Sequence, residues 1–273
     1  MIAGGLALAI LSAVAIGASY ALQHSSAAAL PPLSLRRPLH SLGLLFRSGK
    51  WSLGFFAGIG GWVLYVVALR LAPLSLVQAA SAGGVGVLAL GSRLRVVERV
   101  GVGAALGGLV LLGLSIPSHA PTAHGSAVAV AVWVGGSLAG AGLAARLRPT
   151  AAGLGSAAGV LYAAGDVATK AAIVGGARLA FVPVLLACHG LAFVSLQLAF
   201  QRGGKLASAG LAVLWTNALP IAAGTVLFSE SLPGGVRGGL RISAFVLVLV
   251  GAVALSRRGP EVRNRLEPVT LTD

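Results

Sequence analysis

"MIAGGLALAILSAVAIGASYALQ", residues 1–23, carries no Lys, Arg, Asp or Glu, and no polar side chain before Ser12. Its apolar residues follow one another directly, where a helix on a soluble core would confine them to one stripe. A run of about 20 such residues is what a helix needs to cross roughly 30 Å of hydrocarbon. Runs of the same kind recur to residue 256. The 273 residues are 57% hydrophobic with a mean hydropathy of +0.94, and 20 basic plus 6 acidic side chains cannot coat a soluble protein of that length. The composition therefore predicts an all-α, polytopic membrane helical bundle.

Windows of about 19 residues place nine spans, at 2–22, 51–70, 74–92, 100–117, 125–145, 152–174, 179–200, 206–227 and 238–256. "LRLAPLSL" marks a tight turn at Pro73, and "IPSHAPTAHG" (116–125) a polar loop. The first 23 residues lack a basic leader, so the expectation is a span rather than a signal peptide. "RRPLHSLGLLFRSGKW" fits a short basic amphipathic segment along the inner interface. The lone cysteine, Cys188, excludes an internal disulfide.

Nine crossings put the termini on opposite sides. Fifteen of the 20 basic residues fall on the face of the C-terminus: Arg36, Arg37, Arg47, Lys50, Arg93, Arg95, Arg99, Arg146, Arg148, Arg202, Lys205, Arg257, Arg258, Arg263 and Arg265. The positive-inside rule then predicts a cell-membrane protein with its N-terminus outside and its C-terminus cytoplasmic. The net charge of +14 is explained by that topology and by attraction to anionic lipid, so no nucleic-acid partner is expected.

The spans are expected to form an internal repeat. "ALRLAPLSLVQA" (68–79) aligns with "AFQRGGKLASAG" (199–210), and each copy reaches a lone glutamate about twenty residues later, Glu98 and Glu230. "AIGASYALQHSS" (15–26) aligns with "LYAAGDVATKAA" (161–172), pairing Tyr20 with Asp166 and His24 with Lys170. The predicted organisation is a four-span half at 1–117, a bridging fifth span with its loops at 118–150, a four-span half of opposite orientation at 151–258, and a disordered cytoplasmic tail at 259–273.

"SYALQHSSA", "YVVALRLAPLSLVQ", "GVLYAAGDVATKA", "LQLAFQRGGKLASAGLAVLWTNALP" and "VLFSESL" together give the chain a family likeness over most of residues 1–258. It resembles the drug/metabolite transporter superfamily in its EamA-like branch, nearest the nine-span NIPA-like magnesium-transporter-type group. The resemblance implies two inverted halves rocking around a midplane cavity. Family members commonly have ten spans; here the apolar run at 41–46 is too short to be the missing one. "VER" and "SES" also stand where the family often reads G-E-R or G-E-P.

Asp166 and Lys170 lie one helical turn apart within "AAGDVATKAAI" (163–173), an otherwise apolar segment. Ionisable groups at such depth are costly and functional by default. Three readings stand: an i,i+4 pair with Lys170 snorkelling outward, a place in a solute or proton pathway, or a contact with a second subunit of a homodimer. Gln78, Gln197, Trp215, Thr216 and Asn217 are further intramembrane candidates, with Tyr20, Gln23 and His24 closing the first helix. In "WTNALP", Pro220 frees a backbone carbonyl, so a locally broken helix is expected there. His189 reads as a packed, hydrogen-bonded histidine, with a proton shuttle as the sharper alternative. Gly103/Gly107, Gly136/Gly140 and Gly155/Gly159 form G-x-x-x-G pairs that permit close helix approach.

"GVGAALGG" opens a span with no strand before it and is not a nucleotide loop, and no HExxH, GxSxG or cysteine-rich metal pattern occurs. An enzyme, a cofactor and a resident metal are not expected. The expected function is a secondary transporter exchanging a small solute, with protons passing through Asp166. The alternatives are a magnesium channel or transporter, disfavoured by the scarcity of carboxylates, and a non-transporting membrane scaffold or accessory subunit.

Overall fold

A computed structural model describes residues 2–33, 38–72, 74–81, 84–89, 94–115, 126–227 and 234–256. The turn at Pro73, the loop 116–125, Glu230, the tail 259–273 and seven of the counted arginines (Arg36, Arg37, Arg93, Arg257, Arg258, Arg263 and Arg265) lie outside these residues. Every regular element described is helical: α1 (Ile2–Ala27), α2 (Pro38–Arg47), α3 (Gly49–Leu71), α4 (Leu74–Ser81), α5 (Gly84–Ala89), α6 (Val96–Leu114), α7 (Ala127–Leu147), α8 (Ala151–Ala172), α9 (Phe181–Phe200), α10 (Leu211–Leu227) and α11 (Gly235–Ser256). A 3₁₀ turn, Gly176–Ala180, leads into α9, and a π turn, Leu206–Gly210, leads into α10.

Helix starts follow side-chain caps. Ser48, Ser126 and Thr150 accept hydrogen bonds from the amides of Trp51, Ala129 and Gly153, supplying acceptors for amides that the first turn leaves open. Glu98 closes the start of α6: its carboxylate accepts from the Arg95 amide at 2.9 Å and pairs with the Arg95 guanidinium at 3.2 Å. The glutamate that marked the first repeat is thus a helix cap. Glu98→Ala is expected to lower the unfolding free energy by about 0.5–1 kcal/mol, read as a small drop in the thermal midpoint in detergent.

Five helical segments among the described residues are long and apolar enough to cross a bilayer: Gly4–Ala27, Gly49–Leu71, Ala127–Leu147, Gly176–Phe200 and Leu206–Gly224. Their outward faces carry large apolar side chains, including Ile10, Leu53, Phe56, Val132 and Leu186, each more than half exposed. Water would not tolerate that surface on a monomer. The chain is a multi-pass membrane protein. In lipid all backbone groups must pair internally, which accounts for the helical architecture.

α8 lies at the centre, against α7, α9 and α10, while α1 pairs with α3 and α6 with α11. Its small residues are buried along nearly its whole length, from Ala151 to Ala172. Two of the three glycine pairs do not serve as contacts within the chain: a Cβ on Gly103, Gly136 or Gly140 would meet nothing, and one on Gly107 only Leu247 at 4.0 Å. Gly155 and Gly159 do, letting α8 lie against the π turn and α10. Gly54, Gly58 and Gly61 do the same for α3 against α1, a contact the sequence reading missed. α2 forms where the amphipathic segment is expected, burying Leu45 and leaving Leu39, Leu42 and Phe46 exposed. The predicted third span, 74–92, contains α4 and α5. α10 runs without interruption through Pro220, so the expected break is absent there, and the irregular backbone is the π turn at its start.

Candidate functional site

Three apolar clusters form the core of the described residues, and the two larger centre on Trp51, Phe200, Leu196 and Leu211 and on Tyr65, Val77, Val167 and Leu185. A cavity of about 460 Å³ draws its lining from both, with Phe55, Phe193 and Val213 on one side and Trp62, Tyr65 and Leu185 on the other. α1, α3, α4, α8, α9 and α10 all contribute side chains.

The polar centre is Asp166, which is 4% exposed. One carboxylate oxygen accepts from the Gln78 side-chain amide at 3.2 Å, and the same NH₂ group donates to the Tyr65 hydroxyl oxygen at 2.7 Å. The other carboxylate oxygen faces His189 Nε2 at 3.6 Å. Asp166 thus takes its polar contacts from α4 and α9, on neighbouring helices, rather than from one turn along its own helix. An i,i+4 spacing brings two side chains within reach; buried donors on neighbouring helices satisfy the carboxylate instead.

His189 belongs to this centre. Its Nδ1 hydrogen-bonds the Leu185 carbonyl at 2.8 Å, and its ring packs edge-on to Trp62 and Tyr162. The histidine expected as a packed residue is packed, and it also faces the carboxylate. What admits it is Gly165: a Cβ there would collide with the imidazole ring. No spacing rule reveals that approach, because Gly165 and His189 lie on different helices.

Tyr20, Gln23, Gln78, Asp166, Thr216 and Asn217 line the cavity as a group. Tyr162 lines it beside them. Asn217 donates from Nδ2 to the Val213 carbonyl at 2.7 Å. Lys170, Trp215, Gln197 and His24 are not part of the lining. Trp215 instead donates to Ser156 Oγ at 3.2 Å, docking α10 on α8. His24 hydrogen-bonds the Gly203 carbonyl at 3.0 Å.

Gln197 belongs to a hydrogen-bonded layer that reaches the cavity through Gln23 and Ser19. Trp51 Nε1 donates to Gln197 Oε1 at 3.0 Å, Gln197 Nε2 to Gln23 Oε1 at 2.6 Å, and Gln23 Nε2 to Ser19 Oγ at 2.8 Å. The chain ties α1, α3 and α9 together, and the rings of Trp51 and Phe55, stacked with centroids 5.3 Å apart, back it with Phe193 against both. Gln197→Leu strips two hydrogen bonds from this layer. At about 0.6–2 kcal/mol each, the expected result is a clear fall in thermal midpoint with the packing around Phe193 loosened, read as faster reaction of a cysteine placed there.

The fold and this cavity define a class: a multi-pass helical membrane protein whose described residues form a cavity with a buried carboxylate at its polar centre. Neither a protein-family model, nor a curated protein, nor a solved structure matches the chain.

Proposed function

We propose that the protein is a secondary transporter of the drug/metabolite type, carrying a small solute by alternating access around the cavity at Asp166. The observation that carries this reading is the origin of the lining: α1, α3 and α4 from the first half meet α8, α9 and α10 from the second on one buried carboxylate. Transporters bind at such repeat interfaces and open each side in turn.

The nine-span organisation belongs to the same reading. It takes α4 with α5 as one crossing and adds α6, α8 and α11 to the five apolar segments. α8 can be less apolar than a lipid-facing span because protein surrounds it; 22 residues reach roughly 33 Å at 1.5 Å each. Element order supports inverted halves, since α1 packs on α3 as α8 packs on α9. The excess of basic residues on one face favours a C-terminus inside. In a Cys188→Ala background, Gly4→Cys should react with an impermeant maleimide from outside intact cells and Arg148→Cys only after permeabilisation. Both reacting from one side would refute the topology.

The magnesium reading is weaker. Mg²⁺ seeks near-octahedral oxygen coordination, and among the described residues no three His, Cys, Asp or Glu side chains gather. Transport itself is tested by loading purified protein into liposomes and following a broad solute panel under an imposed pH difference. Flux of at least one solute above empty liposomes is expected; none would favour the scaffold.

A further inference from the structure

The cavity's ionisable groups are few. Asp166 and His189 are joined only by the phenols of Tyr20, Tyr65 and Tyr162, and no Lys or Arg is among the described residues that line it. Among these described residues an anionic solute would find no fixed cation. Aromatic rings dominate the remaining wall, with Phe55, Trp62 and Phe193 beside those tyrosines, and such rings attract cations.

The Asp166–His189 geometry adds a constraint on protons. A carbonyl only accepts, so the 2.8 Å contact with Leu185 requires hydrogen on His189 Nδ1. A neutral ring would then aim the Nε2 lone pair at a carboxylate oxygen 3.6 Å away. The arrangement is attractive only when the pair holds one further proton. A second, independent observation concerns Asn217. It is 3% exposed, its NH₂ donates to the Val213 carbonyl, and its Oδ1 has no hydrogen-bond partner among the described residues. Ser81 Oγ and Trp62 Nε1, also in the lining, have none either. Unpaired polar atoms this deep are rare, and these offer one acceptor and two donors.

Resting on the transporter reading, we propose that the solute is a small protonated amine, its ammonium seated on Asp166 in exchange for the proton of His189, with Asn217 Oδ1 accepting one of its N–H bonds. The exchange balances. As the ammonium arrives, the His189 Nε2–H bond breaks, its electron pair stays on nitrogen, and the proton leaves to water. The charge of the centre is unchanged, and no oxidant or co-reactant is needed. Ser81 and Trp62 would serve an acceptor elsewhere on the same solute.

The test uses full-length protein in detergent and three probes of one skeleton: phenethylamine, 2-phenylethanol and phenylacetate. Calorimetry at pH 7 in two buffers of different ionisation enthalpy reads affinity and proton release together. Phenethylamine should bind at least about 10-fold more tightly than the alcohol, phenylacetate should not bind, and close to one proton should be released per amine. His189→Gln should retain amine binding with release abolished, and Asn217→Leu should weaken it about 10-fold. The three-probe comparison needs only wild type, so a variant that fails to fold does not spoil it. Equal or tighter binding of the alcohol or of phenylacetate would overturn the proposal, as would amine binding without proton release, or no binding of any probe. Amine binding with release but no flux in liposomes would leave this site standing and remove the transporter reading. Flux of phenylacetate without amine binding would do the reverse.

Discussion

Liposomes carrying Asp166→Asn are expected to show no uphill solute uptake when a pH difference is imposed, under conditions in which wild type accumulates solute. The substitution preserves shape, so the Gln78 amide keeps an acceptor and the buried position keeps its volume. What goes is the charge. A hydrogen bond to a charged group is worth about 1.5–3 kcal/mol, so a solute held by that carboxylate should lose roughly 10- to 150-fold in affinity. Coupling is lost more completely, because His189 no longer faces a group that can share its proton. Passive exchange at saturating solute should therefore survive in part while pH-driven accumulation disappears. Full accumulation by the variant would remove Asp166 from the pathway and leave its burial at 4% exposure as a structural matter only. A matched Asp166→Ala variant is less informative, since it also empties volume and leaves Gln78 without its partner.

Much of the fold could be read from chain chemistry alone, because lipid imposes a simple rule. Runs of about 20 apolar residues become helices, and the predicted 2–22 and 51–70 correspond to Ile2–Ala27 and Gly49–Leu71. The lining was legible in part. Tyr20, Gln23, Gln78, Asp166, Thr216 and Asn217 stood out as polar residues in apolar company, and they line one cavity. Their partners were not legible. Asp166 meets Gln78 across 88 positions of sequence, and local spacing pointed to Lys170 instead. His189 was undervalued for a related reason: its access depends on the missing side chain of Gly165 on another helix. Glycine pairs show where close approach is permitted, not where a partner lies. Gly136 and Gly140 fit the pattern as well as Gly155 and Gly159, yet only the latter meet a neighbour within the chain.

That contrast supplies the largest expected effect on stability. A Cβ at Gly155 would run into the backbone oxygen of Ser208, and one at Gly159 would lie 2.6 Å from the Ala212 carbonyl oxygen and 2.7 Å from Trp215 Cβ. The obstructing atoms are mostly backbone, held in the π turn and the start of α10, so they cannot swing aside as a long side chain could. Overpacking of this kind costs about 1–3 kcal/mol per site, occasionally more. Gly155→Val and Gly159→Val should each lower the thermal midpoint in detergent by several degrees. The double variant should depart from additivity, because both residues press on the same interface. Gly103→Ala and Gly136→Ala, which open onto empty space, should unfold with the wild type. The damage should reach the cavity too: separating α8 from α10 pulls Thr216, whose hydroxyl lies 3.4 Å from the Gly159 carbonyl, away from the wall that holds Asp166. Solute binding should therefore fall in Gly159→Val even at temperatures where the protein remains folded. A Gly155→Val protein melting with the Gly136→Ala control would mean that α8 does not lie against the π turn and α10 as described.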